Sequence, residues 1–160
     1  MIRVFISHQQ VDSLLAAQIN QHLKFHHKIS SYLDVIDPTI IRGEDLADHI
    51  RRHMSGCTQL IAVVSKATYA SQWVPWEIGI ATEKDYPLAT YSGSGANPPE
   101  FLQKWPYLRN FEDLDNYASV SKAAEKTLKE RQSMATESVQ ASTTISTRQF
   151  YSQLRSKLGQ

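Results

Sequence analysis

Gln59-Leu60-Ile61-Ala62-Val63-Val64-Ser65 decides the fold. Five consecutive apolar residues run into a serine. A strand with one wet face alternates apolar and polar residues. An unbroken apolar run of strand length is instead apolar on both sides, as in a central strand of a parallel sheet covered on both faces. Towards the N-terminus, Ile2-Arg3-Val4-Phe5-Ile6-Ser7 has the same character after Arg3. From Val11 the period changes: Leu15, Ile19 and Leu23 fall at i, i+4 and i+8, one stripe of an amphipathic helix. Tyr32-Leu33-Asp34-Val35 reads as a short second strand. Leu46, Ile50 and Met54 mark a second helix, started at Glu44 or Asp45 and stopped at Gly56. Towards the C-terminus, a third helix runs from Trp73 to Lys84, with Pro75 in its first turn. Tyr86-Pro87-Leu88-Ala89-Thr90-Tyr91 is a fourth strand, set near an edge by Pro87, and Tyr107-Leu108 a short fifth. Asn116 is placed to cap a helix carrying Tyr117, Val120, Ala124 and Leu128.

This alternation predicts an α/β fold: an open parallel sheet with helices on both faces. Such sheets bind ligands beyond the C-terminal ends of their strands, which here carry Ser7, Asp34 and Ser65. The loop holding Asp37-Pro38 and Arg42-Gly43 is long for its kind and is a candidate functional loop. Residues 133–147 are rich in Ser, Thr, Ala and Gln without periodicity, and read as linker. Phe150, Leu154 and Leu158 then restore a helical stripe, which needs a surface to dock on. The expected division is a domain over 1–132 and a linker with a short amphipathic helix over 133–160.

Composition excludes several function classes. The 160 residues hold 17 Lys+Arg against 16 Asp+Glu, a formal net charge of +1. Neither non-specific nucleic-acid binding nor a polybasic membrane anchor fits that balance. No apolar run nears the ~20 residues of a spanning helix, and the first residues lack a signal-peptide pattern. The single cysteine, Cys57, favours a reducing compartment, so a cytoplasmic location is expected. Cys57 itself reads as a small buried residue rather than a nucleophile. No phosphate-binding glycine loop is present, and Ser92-Gly93-Ser94-Gly95 is followed by prolines where a helix would start. The pairs His22/His26 and His49/His53 have helical i, i+4 spacing but no third ligand in the sequence pattern. No metal is expected on them.

Ser71-Gln72-Trp73-Val74-Pro75-Trp76-Glu77-Ile78-Gly79 follows the central strand, on the ligand-binding side of the sheet. Trp73 and Glu77 share one helix face. An aromatic plane beside a carboxylate suits a planar heterocycle together with hydroxyls or a cation.

These segments together resemble a Toll/interleukin-1 receptor (TIR) domain. Arg3 to His8 resembles the family's first strand and turn, and Leu33-Asp34-Val35 its second strand. Arg42-Gly43-Glu44-Asp45-Leu46 resembles the end of its long BB loop. Leu60 to Ser65 resembles its third strand. Ser71 to Ile78 resembles the WxxxE helix of its NAD-consuming members. The resemblance covers about residues 1–130. It implies a five-stranded parallel sheet of flavodoxin-like character. It also implies an enzyme that cleaves the nicotinamide–ribose bond of NAD, with NAD as substrate and no further cofactor. Glu77 would be the catalytic carboxylate. Phe5, Ser7, His8, Asp34, Arg42 and Trp73 would bind substrate. Self-association through the BB loop, Val35 to Gly43, would complete the site. The product would be ADP-ribose or a cyclic isomer, signalling to a separate effector as in the stand-alone TIR proteins of bacterial antiphage defence. A low net charge suits a domain that stacks on copies of itself. Two alternatives stand beside this: a non-catalytic scaffold binding partners through the BB loop and terminal helix, and a nucleotide- or nucleoside-processing enzyme on a related sheet.

Overall fold

A computed structural model describes residues 1–33, 44–71, 73–92, 98–134 and 138–160, with backbone only for 44–47. Five strands form one sheet: β1 (Arg3–Ser7), β2 (Ser30–Leu33), β3 (Gln59–Val63), β4 (Leu88–Tyr91) and β5 (Tyr107–Leu108). Their order is β2-β1-β3-β4-β5, and every pair is parallel. The helices are α1 (Ser13–His27), α2 (Glu44–Ser55), α3 (Trp73–Glu83), α4 (Phe111–Ser133) and α5 (Val139–Leu158). The expected open parallel α/β sheet is therefore present, with β3 at its centre, as its apolar run requires.

Alternation along the strands splits the core in two. Val4, Ile6, Ile61, Val63, Ala89 and Tyr91 face α1, α4 and α5, against Ile19, Leu23, Leu114, Tyr117, Phe150 and Leu154. Phe5, Leu60, Ala62, Val64 and Leu88 face α2 and α3, against Ile50, Met54, Val74, Ile78 and Ala81. Pro87 lies just ahead of β4, where no ladder N–H is needed, and its carbonyl accepts from Leu60 N at 3.0 Å. β4 is one strand in from the two-residue edge strand β5.

Three local expectations are corrected. The second strand begins at Ser30, two residues before the expected start, because buried Ile29 leads directly into the pairing with β1. Asn110, not Asn116, caps α4: its Oδ1 accepts from Asp113 N at 2.9 Å, and the buried stripe opens at Leu114. The Ser/Thr-rich stretch is helical from Val139, capped by Ser138. Its small side chains allow close packing: Ser142, Ser146 and Thr147 are buried, Ser146 donates to Ala124 O on α4 at 3.2 Å, and Thr147 donates to Asp85 O at 2.7 Å. Phe150, Leu154 and Leu158 dock in the core as their spacing predicts. Tyr151 ties the helix to the sheet, accepting from Leu88 N and donating to Tyr86 O. Among the described residues no helix is long and apolar enough to cross a membrane.

Candidate functional site

β1 ends at Ser7, on the face shared with Phe5 and α3. Ser7 is 0% exposed and Glu77, from the second turn of α3, 3% exposed; Ser7 Oγ donates to Glu77 Oε2. A carboxylate withdrawn from water is costly unless hydrogen-bonded, so this contact is a constraint on the fold rather than a surface accident. It joins the end of β1 to the helix that follows β3, although 70 residues separate the partners.

A second set of bonds holds these two segments together. Ser65, just beyond β3, caps the 3-10 turn Lys66–Ala70 in a reciprocal capping box with Thr68. Its hydroxyl also donates to Asp12 Oδ2, at 2.8 Å, from the turn that precedes α1. Ser71 Oγ accepts from Val74 N at 3.1 Å, satisfying a donor in the first turn of α3. The same oxygen accepts from Gln9 Nε2 at 2.5 Å. Gln9 and Asp12 thus clamp the loop after β1 onto the segment carrying Glu77. Sequence reading missed both, because their partners lie more than 50 residues away and no spacing rule connects them.

His8 follows Ser7 and is half-buried, its Nδ1 3.1 Å from Ile6 O. A carbonyl oxygen only accepts, so this bond puts the proton on Nδ1. Trp73 opens α3 and is 37% exposed, one turn before Glu77 and edge-on to Trp76 at 6.2 Å. Phe5 is fully buried two residues before Ser7, its ring 5.6 Å from that of Tyr32. The structure therefore brings Phe5, Ser7 and Glu77 to one face at the C-terminal end of the sheet, with His8 and Trp73 beside them. Asp34, Arg42 and the loop 35–43 lie outside the described residues. A separate open groove of about 1000 Å³ runs between α2 and α3, lined by Asp48, Arg51, Trp76 and Glu83 among others; Ser7 and Glu77 do not line it.

Cys57 takes no part. It is buried, its Sγ 3.5 Å from His53 O, and burial pushes its thiol up to about 11 despite the nearby Arg3 charge. A thiol held protonated is a poor nucleophile and a poor metal ligand.

Chemically, Glu77 is a carboxylate with a fixed hydroxyl donor, at the sheet end where parallel α/β folds bind ligands. Such a group accepts hydrogen bonds from hydroxyls and stabilises positive charge that develops within reach. The TIR domain family model matches residues 4–125, from β1 into α4. No curated protein matches the chain.

Proposed function

Because the chain belongs to the TIR domain family, we propose that it cleaves the nicotinamide–ribose bond of NAD, with Glu77 as the catalytic carboxylate. TIR domains serve signalling and include NAD-cleaving enzymes. The observation that carries this reading is the buried Glu77 carboxylate hydrogen-bonded to Ser7 at the ligand-binding end of the sheet.

The chemistry needs one carboxylate. When the bond between ribose C1′ and the pyridinium nitrogen breaks, both electrons pass to nitrogen and nicotinamide leaves neutral. No general acid is required, unlike the paired carboxyl groups of ordinary glycosidases. Positive charge grows on the ribosyl ring. Glu77 accepts from the ribose hydroxyls and stabilises that charge. Ser7 is a positioning residue that holds the Glu77 carboxylate in orientation. Trp73 walls the nicotinamide end, His8 and Phe5 shape the pocket from the β1 end, and Asp34 and Arg42 line the pocket or support the long loop. Water attacking C1′ gives ADP-ribose and releases a proton; a hydroxyl of the same molecule gives a cyclic isomer and likewise releases one.

In this reading the site is completed by a neighbouring copy through the loop 35–43, so turnover depends on assembly. The product is a diffusible signal for a separate effector in bacterial antiphage defence, and the setting is cytoplasmic. NAD is consumed as substrate, with no metal or further cofactor in the step. The test is nicotinamide release from NAD by purified protein at high concentration, with and without a crowding agent, and mass spectrometry of the sugar product. Turnover that vanishes in Glu77→Ala supports the assignment. Turnover unchanged in that variant removes Glu77 from the chemistry.

A further inference from the structure

On the opposite side of the sheet from Glu77, α1 and α4 bring together a donor set that the sequence spacing concealed. His22 and His27 leave α1 at i and i+5, and Asp115 leaves α4 near its start. Both imidazole Nε2 atoms converge on the same carboxylate oxygen, Asp115 Oδ1, at 2.6 and 2.5 Å. All three donor atoms lie within 4.8 Å of one another. The i, i+4 pair His22/His26 is not the pair that converges: the third ligand missing from the sequence pattern is supplied by Asp115, 88 residues beyond His27. We propose that His22, His27 and Asp115 form a binding site for a divalent zinc-type cation that cross-links α1 to α4.

Two imidazoles and one carboxylate match the borderline character of Zn²⁺, and suit it better than Mg²⁺ or Ca²⁺, which take oxygen ligands. Zinc holds such ligands at about 2.0–2.2 Å, which spaces tetrahedral donors about 3.3–3.5 Å apart. The two distances from Asp115 to the imidazoles reach that spacing if Asp115 withdraws by about 1 Å, and its side chain is 49% exposed and has room to do so. The imidazoles are better held: each is 18% exposed, and His22 stacks on Phe111 with ring centroids 4.8 Å apart. The open side at Asp115 leaves room for water as a fourth ligand. His49 and His53 have the favoured spacing on α2, but among the described residues no third donor joins them; His53 stacks on Tyr32 at 4.3 Å instead. The consequence is mechanical. Bound metal would pin α1 to α4, which in turn carries α5, and would leave the Glu77 face untouched.

The experiment titrates the metal-free full-length chain with Zn²⁺ by calorimetry, and with Co²⁺ by visible absorption for its tetrahedral bands. The expected result is one ion per chain, and a Tm rise of about 5–10 °C at a hundredfold excess over Kd. Binding weakens at least tenfold in both His27→Ala and Asp115→Asn, and persists in a His49→Ala/His53→Ala double variant. Circular dichroism confirms that each variant is folded, and Asp115→Asn preserves shape at a half-exposed position. Absence of stoichiometric binding overturns the proposal, as does Zn²⁺ binding undiminished in His27→Ala and Asp115→Asn, or lost in the His49/His53 variant.

Discussion

Replacing Ser7 by Ala removes a single hydroxyl and tests whether Glu77 is held for chemistry. The bond lies wholly out of water, with Ser7 at 0% and Glu77 at 3% exposure. A hydrogen bond to a charged group is worth about 1.5–3 kcal/mol. If the bond keeps the carboxylate aimed at the developing ribosyl charge, that energy appears in the barrier. At about 1.4 kcal/mol per decade, turnover falls by about 10- to 150-fold. Ser7 acts through Glu77, so kcat carries the loss and KM moves less than about threefold. The same deletion leaves a buried carboxylate oxygen short of one donor, costing about 1–3 kcal/mol of stability. For a chain of this size that is a Tm decrease of about 2–12 °C. The assay pairs nicotinamide release under assembly-promoting conditions with thermal melts of the same preparations. Glu77→Gln is the companion variant: it keeps the shape and an acceptor for Ser7 but removes the charge, and its turnover drops to background. A folded Ser7→Ala protein that releases nicotinamide within twofold of the parent would refute the positioning role.

Other outcomes follow from the packing. Phe150→Ala empties a fully buried site on α5, where the ring meets Tyr117 edge-on at 5.7 Å; denaturant unfolding should show a loss of about 3–5 kcal/mol, whereas a loss below 1 kcal/mol would mean α5 contributes little to the core. Gln59→Leu strips the shared acceptor of the Tyr117 and Ser121 hydroxyls; unfolding free energy should drop by about 2–5 kcal/mol, and Tyr117→Phe, which leaves the Ser121 bond intact, by about 1 kcal/mol. Cys57 should resist thiol reagents at neutral pH in the native protein and react on unfolding. Its folded pKa, raised from 9.0 to about 11, favours the protonated folded state. The stability it contributes is therefore full below pH 9 and lost as pH rises towards 11, and Cys57→Ala should make that alkaline decline shallower.

The sheet was legible because its strands are buried on both faces. Leu60 to Val64 can satisfy that pattern only at the centre of a covered sheet, and β3 lies there. Ile19, Leu23, Ile50 and Met54 were legible for the matching reason: a helix on a sheet buries one stripe, and that stripe repeats at 3.6 residues. Asn110 and Asn116 are equally good caps by residue type; the choice fell to Asn110 because Leu114 already faces the core. The 133–147 stretch has the composition of a linker, yet α5 buries Ser142, Ser146 and Thr147. Small hydroxyl side chains suit close helix packing as well as solvated chain, and only the presence of a facing helix separates the two.

At the site, Glu77 and Trp73 were visible as a pair one helical turn apart, and Ser7 as the end of a strand. The sequence by itself determined the parallel α/β sheet, the helix faces and the carboxylate beyond the central strand, because each is written in a local period or a short spacing. Only the tertiary structure decided that Ser7 bonds Glu77, that Gln9 and Asp12 clamp the neighbouring segment, and that His22 meets His27 and Asp115 rather than acting with His26. Each of those hydrogen bonds joins residues more than 50 positions apart. They are set by how helices seat on a twisted sheet, a geometry that no local period encodes.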